Sequence, residues 1–554
     1  MAKKTTCKFY EEEIKMLLKK IKTDKLDVEV YSSRPDMGKN AAVYAAGIIK
    51  DLLSKKDEIN MIFAAAPSQN EFLASLIEDK DIDWSRINAF HMDEYIGLSK
   101  DAPQGFGNFL KDKIFGKVPF KEVNYINSEA DAKEECARYG ALLSSRKIDM
   151  VCMGIGENGH IAFNDPHVAK FDDKEIIKVV DLDEMCRQQQ VNDGCFKTID
   201  DVPKNALTLT IPTMMSADYI VCIVPASTKA EAVFNTVRGK ITEQVPATAL
   251  RMHDNAVMYT DSDSAARILF RKSAISDEIS QDFEVAAQLA VKYGLEALEI
   301  RSVNDKQPDK FTEEDIKNIK ETAEKYGLKI CAVSPAFFKC SVNDAAAVEA
   351  QYELLEKNAK VADSLGAKFI RGFTFWAKDT NGTDIIPYYK KAIEILEKYD
   401  KTLVIELDPS VNASNGESVA AVVEAVNSPR VKGLWDPGND IYDPKGEVPY
   451  PYGYEKIKDK MVHMHIKDAK LDENGNPMCV AIGTGAVGFA EHLTRLLEDG
   501  YDGFISLETH YRKTQLDEKT LALPGGAAFS DGGYEASEEC LICWNKLISD
   551  ITHK

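Results

Sequence analysis

The chain lacks the features that mark a membrane protein, a nucleic-acid binder or a secreted disulfide scaffold. No apolar run reaches the roughly 20 residues that span a bilayer. Its first stretch, MAKKTTCKFYEEEIK, has no apolar core of signal length. Basic charge is in deficit: 69 Lys and Arg stand against 90 Asp and Glu, a formal charge of −21. A surface of that sign repels phosphate backbones and anionic headgroups, so neither nucleic acid nor membrane is an expected partner. An anionic small substrate would need local cations in its site. The 11 cysteines are odd in number and follow no repeating spacing. Cys152 in DMVCM and Cys222 in YIVCIV lie in apolar runs, which predicts reduced core thiols and a cytoplasmic protein. One CxxC, Cys540 and Cys543, falls in an expected C-terminal helix, ECLICWNKLI. No second pair accompanies it, so zinc is not expected there. Internal repeats and low-complexity segments are also missing.

What is present is a long α/β pattern. At 554 residues the chain exceeds one ordinary core. Apolar runs INMIFAAAP, INAFHMDEYIGL, IDMVCMGIG, DYIVCIVPAS and NAVMYTD read as strands, separated by helical segments such as NAAVYAAGIIKDLLSKK. That alternation predicts a doubly wound, mostly parallel sheet covered on both faces. TDSDSAA, residues 260–266, reads as a polar linker. Eight further runs follow, at 267–273, 295–302, 328–335, 367–375, 402–408, 431–438, 461–468 and 503–510. Eight βα units in one stretch predict a (β/α)₈ barrel. The expected domains are therefore residues 1–263 and 264–554.

In the first half, chemistry gathers at strand ends. GIGENGHIAFNDP, residues 154–166, follows the apolar run IDMVCM and carries Asn158, His160 and Asp165. Asp93 and Glu94 in HMDEYIGL end another strand. A carboxylate and an imidazole facing each other across a cleft suit proton transfer on a small substrate. Ligands of open α/β sheets bind where strands end.

Together, MDEYIGL and GIGENGHIAFNDP resemble the signatures of the glucosamine-6-phosphate deaminases, and VPKNALTLTIPTMMSADYIVCIVPASTKAEAV extends the likeness over roughly residues 15–260. The 6-phosphogluconolactonases share the Gly-x-Gly-x-x-Gly-His turn but not AFNDP or MDEY; a hydrolase of that kind is the alternative. The resemblance implies that Asp93 is the base moving a proton between C2 and C1 of the opened sugar. It makes His160 the group that opens the ring, with Asn158 and Asp165 orienting and charge-tuning that imidazole. It implies no cofactor in this domain, sugar-phosphate substrates and a homo-oligomer. Lys229 matches the family's phosphate-binding lysine, Arg187 is a second candidate cation, and Ser68 and Gln69 are candidate phosphate donors. Three departures stand out. Asn158 replaces a frequent Asp and carries no charge for an imidazolium. Asp165 replaces a frequent Glu, which predicts a carboxylate about one methylene further from His160. The phosphate loop reads AAAPSQNEF rather than glycine-rich. Asn158 and the altered loop favour a rival reading, a sugar-phosphate-binding regulatory protein with one or both catalytic sites decayed; the retained Asp93 and His160 argue against it.

In the second half, Glu406 (VIELD), Asp436 (LWDPG), His465 (VHMHIKD) and Glu508 (SLETH) sit late in four consecutive strands. They should converge at the carboxyl face, where barrel active sites form. Three carboxylates with one imidazole suit an open divalent site for Mn²⁺, Mg²⁺ or Co²⁺, or for Zn²⁺ with a free position. His463 shares that side of its strand but lies one layer deeper. The set resembles the xylose-isomerase-like sugar phosphate isomerase/epimerase barrels over roughly residues 265–550. That implies a metal-dependent enzyme in which Glu406 and Glu508 shuttle a proton. Asn439 departs from relatives with histidine there. Residues 511–537 read as a long loop whose Arg512 and Lys513 could meet an anionic substrate.

Overall fold

The computed structural model describes residues 17–192, 194–380, 384–513 and 526–553. The chain divides into two compact units, Met1–Leu269 with Thr552–Lys554, and Phe270–Ile551. No helix among the described residues is long and apolar enough to cross a membrane.

The first unit holds β1 (Leu17–Thr23), β2 (Leu26–Tyr31), β3 (Ile59–Phe63), β4 (Ile87–His91), β5 (Asp93–Tyr95) and β6 (Glu122–Asn124). It continues with β7 (Met150–Met153), β8 (Ile177–Asp181), β9 (Asn205–Leu209), β10 (Tyr219–Val224) and β11 (Ala256–Asp261). Eight strands form the main sheet in the order β1-β2-β11-β10-β7-β3-β4-β6. All its pairs are parallel except the β1–β2 hairpin. Central strands β3, β4 and β7 are buried at every residue, as expected of a sheet covered on both faces. One cover is helix Arg34–Lys55, started by Ser33, whose side chain accepts from the Asp36 amide. Its buried face is rich in small residues, Ala41, Ala42, Ala45 and Ala46, which lets it lie close to the sheet.

The main sheet bears out the doubly wound reading, with two corrections. INAFHMDEYIGL is not one strand. After His91 the chain leaves the main sheet, Met92 O accepts from Leu209 N at 2.8 Å, and Asp93 pairs antiparallel with Thr208. A second sheet, β5-β9-β8, results. Nor is TDSDSAA an exposed linker. Asp261 accepts from the amides of Ser264 (2.8 Å) and Ala226 (3.0 Å), and Ser262, Ser264 and Ala265 are buried. A polar segment reads as solvated only until its hydrogen bonds are satisfied internally.

The second unit is a (β/α)₈ barrel, as expected. Its strands are β12 (Arg271–Ala274), β13 (Ala297–Ile300), β14 (Lys329–Phe337), β15 (Phe369–Gly372), β16 (Thr402–Glu406), β17 (Val431–Trp435) and β18 (Met461–Ile466). A hairpin of β19 (Asp468–Leu471) and β20 (Pro477–Val480) precedes the eighth barrel strand, β21 (Phe504–Leu507). The barrel strands pair in parallel in the order β12-β21-β18-β17-β16-β15-β14-β13. Ile275, just past β12, bridges Glu299 of β13 in parallel and completes the ring. The expected loop at 511–537 is in part helical among the described residues. Residues 514–525 lie outside the described residues, and helices Ala527–Ser530 and Gly533–Thr552 take up most of the chain beyond them. The Cys540 thiol is buried in that last helix, and all ten described cysteines are free.

Candidate active sites

The first site is built on the turn after β7. Gly159 takes φ +81°, in the left-handed region that favours glycine. A Cβ on Gly156 would overlap three atoms of the His160 ring, so this glycine makes the room the imidazole occupies. His160 Nδ1 lies 2.9 Å from Asp165 Oδ1, and Asp165 is fully buried. The shorter acid therefore does reach the ring, because the turn itself brings it in. Asn158 contributes differently from the sequence expectation. Its Oδ1 accepts from the His160 backbone amide at 3.0 Å, and its Nδ2 donates to Asp165 Oδ1 at 3.0 Å and Asp183 Oδ2 at 3.4 Å. Its reach is thus to the acid that faces the imidazole rather than to the ring itself. Burial works to raise the Asp165 carboxyl, but His160 and Asn158 outweigh it and hold the pKa below the ordinary value.

Asp93 faces the same cleft, a cavity of about 120 Å³ whose lining includes Arg34, Ser68, Asp93, His160, Gln190 and Lys229. Burial, and then the neighbouring Glu94, push the Asp93 carboxyl well above the usual aspartate range. Glu94 is spent on structure: it accepts from the backbone amides of Tyr95 (2.9 Å), Phe106 (3.1 Å) and Gly107 (2.9 Å).

Two expected ligand-binding residues do not line the cleft. The Gln69 amide is buried and donates to Ser68 Oγ (3.1 Å), Met153 O (3.2 Å) and Ile223 O (3.4 Å), tying together strand ends. Arg187 donates to Ile199 O (2.5 Å), which also accepts from Val202 N, and to Val202 O (3.2 Å), so it ties that loop together. The cation that sequence reasoning missed is Arg34. It donates to Pro67 O at 2.5 Å and pairs with Glu71 at 2.9 Å. Its signal was its place just past the carboxyl end of β2.

The second site lies at the barrel's carboxyl face. Glu406 ends β16, Asp436 follows β17, His465 lies in β18 and Glu508 follows β21; all four are buried. Each offers one ligand atom, and these atoms lie within 4.8 Å of one another. His465 Nδ1 stands 3.1 Å from Glu406 Oε1 and 3.6 Å from Glu508 Oε2. Asp436 Oδ1 also caps the next turn, accepting from the amides of Gly438 (3.0 Å) and Asn439 (3.2 Å). The donor set thus fits a divalent cation in chemistry and in convergence.

Protein cations crowd the same carboxylates, and these were not foreseen. Lys467 Nζ lies 2.6 Å from both Asp436 Oδ2 and Glu508 Oε2, Arg371 is 3.2 Å from Glu406, and Arg301 is 3.7 Å from Glu508. Lys467 was legible in principle: one residue past β18 and two past His465, it continues the strand's alternation onto the side that carries His465. Burial alone would raise Glu508, yet Lys467 and His510 keep it well below the usual carboxylate range. Asp436 goes the other way: burial leads, Lys467 opposes, and the balance is about 6. Burial would lower His510, but Glu508 and Glu278 raise it to about 9. A cavity of about 270 Å³ opens over the cluster, lined in part by Lys339, Arg371, Trp376, Asn439, Lys467 and His510. Arg512 is not available to a substrate: it is buried and donates to Asp531 O (2.9 Å) and Tyr511 O (2.7 Å). Lys513 is exposed.

A family model described as glucosamine-6-phosphate isomerases/6-phosphogluconolactonase matches residues 32–259, and a xylose isomerase-like TIM barrel model matches residues 287–530. A glucosamine-6-phosphate deaminase of Bacillus cereus is 31% identical over 244 residues, covering 44% of this chain and 90% of its own length. The chain belongs to the glucosamine-6-phosphate deaminase family. The deaminase of Streptococcus suis is 34% identical over 230 residues, 41% of this chain and 95% of that protein. A solved monomeric glucosamine-6-phosphate deaminase is 31% identical, with a TM-score of 0.40, covering 43% of this chain and 98% of its own. The deaminase likeness is confined to the first unit; the second is a xylose isomerase-like TIM barrel.

Proposed function

We propose that the chain is a bifunctional carbohydrate enzyme. Its deaminase unit converts an amino-sugar phosphate of the glucosamine 6-phosphate kind to the ketose phosphate and ammonia. Its barrel is a divalent-metal-dependent sugar isomerase or epimerase. The observation that supports the first activity most is the His160–Asp165 pair opening on the same cleft as Asp93. In that reading His160 moves the proton that opens the pyranose ring. Asp93 takes the proton from C2, and the enolamine is reprotonated at C1. Water then adds at C2 and ammonia leaves, so atoms and charge balance without a redox cofactor. Lys229 and Ser68, with Arg34, supply the polar end for the phosphate.

In the barrel, Glu406, Asp436, His465 and Glu508 would hold the cation. When bound, it supplies Lewis-acid polarisation of a substrate oxygen. Glu406 and Glu508 hold and exchange a proton, Lys467 and His510 keep Glu508 ionised, and Trp376 shields the cavity from water. A cytoplasmic location and a homo-oligomer belong to the same proposal.

The test is ammonia release from glucosamine 6-phosphate by the full chain with and without EDTA. A panel of phosphorylated and free ketoses, with metal analysis of the purified protein, addresses the barrel. Ammonia release unaffected by chelation supports the first half of the reading. Tight binding of the sugar phosphate with no turnover would instead establish the regulatory alternative, which Asn158 and the AAAPSQNEF loop favour.

A further inference from the structure

Beneath the barrel's ligand set lies a carboxylate that neither the sequence pattern nor the proposed chemistry uses. Glu299, from β13, is fully buried. Its Oε2 is 2.8 Å from His463 Nε2, and its Oε1 is 3.1 Å from His465 Nε2. The Ser334 hydroxyl donates to the same Oε1. We infer that Glu299 is a positioning residue that decides which ring nitrogen His465 turns toward the carboxylate set. This rests on the metal-dependent reading of the barrel.

An ionised carboxylate only accepts hydrogen bonds. Each imidazole that meets Glu299 through Nε2 must therefore carry its proton there. His465 Nδ1 faces Glu406 Oε1 (3.1 Å) and Glu508 Oε2 (3.6 Å), so by the same rule it carries a proton while no cation is bound. A cation held among Glu406, Asp436 and Glu508 takes the place of that proton, and Nε2 keeps its own on Glu299. His463 completes the arrangement from below. It takes the second oxygen of Glu299, and Ser506 Oγ lies 3.3 Å from the same Nε2. Glu299 stands outside the four-residue set; its ligand atoms converge instead with Cys331 and His463, and its two oxygens already face three donors. Carboxylates that fix the tautomer of a metal-binding histidine are worth about 10–100-fold in affinity.

Glutamine at 299 keeps the shape but replaces one acceptor with a donor. One of the two imidazoles must then shift its proton to Nδ1 or lose its partner. Mn²⁺ affinity of the full chain, read by electron paramagnetic resonance, should fall about 10–100-fold in Glu299→Gln. Glu299→Asp, which keeps two acceptors, should retain more of it. Melting temperature and ammonia release would be followed alongside to register any general unfolding. Equal Mn²⁺ affinity in wild type and in both folded Glu299→Gln and folded Glu299→Ala, the latter leaving neither imidazole an acceptor, overturns the inference and leaves the metal reading standing. Should Glu299→Gln fail to fold, a crystal structure of the Mn²⁺-loaded wild type decides. Coordination through His465 Nδ1 with Nε2 on Glu299 supports the assignment, and coordination through Nε2 or by Glu299 overturns it. A wild-type chain that binds no Mn²⁺ overturns the metal reading, and this inference with it.

Discussion

At the scale of single residues, burial sets the terms on which each candidate group works. Asp93 is held well above the usual aspartate range, so it gains its proton as pH falls through that raised value, and the proposed base is lost earlier than an exposed aspartate would be. A carboxyl with a raised folded pKa favours the fold when protonated and loses that contribution as pH rises through the folded value. Asp93→Asn should accordingly lower kcat by about 10²–10⁴-fold with KM nearly unchanged, while the melting temperature at neutral pH holds or rises. Steady-state ammonia release and thermal melts check both halves; full activity in the variant would remove Asp93 from the mechanism. Asn158→Asp tests a different link. Its Nδ2 now donates to Asp165 and Asp183, so a carboxylate there faces two others. The expected result is a lower kcat and an altered pH profile; an unchanged profile would show that Asp165 does not depend on Asn158. In the barrel, His465→Ala should weaken Mn²⁺ binding by about 100-fold or more and His463→Ala by about tenfold, since only the former supplies a ligand atom. Equal effects would contradict the layering.

At the scale of elements, the turn after β7 carries the clearest link from sequence to chemistry. Gly156 leaves the volume that the His160 ring fills. Gly156→Ala should displace the ring by about 1 Å and lower kcat by about 10²-fold, with the sheet intact by circular dichroism. The glycine spacing was legible, and so were the strand ends, because apolar runs of strand length stand out against polar turns. What was not legible was how side chains are spent. Gln69 and Arg187 look like phosphate donors in a sequence, yet both donate to backbone carbonyls. Their fate depends on which backbone groups the fold brings within reach, and no local pattern reports that. Glu299 was hidden for another reason: it sits on the barrel's second strand, whereas the legible ligands cluster on the last four.

At the scale of the whole molecule, a net charge of −21 makes both clefts local exceptions, each drawing cations from more than one element. Full-length protein treated with EDTA should lose barrel turnover and keep ammonia release; parallel loss of both would mean that the two activities share a metal. The barrel's first and last strands, β12 and β21, pair with Ser273 beside Ser506, positions far apart in that unit's sequence. Contacts so distant along the chain are slow to form, because loop entropy is lost before the pairing repays it. Glu508 arrives with β21, and Glu299 is fixed by a bridge to the residue just past β12. The cation site is therefore among the last things to exist as the chain refolds, and Mn²⁺ uptake should trail the recovery of helical signal, serving as a clock for ring closure.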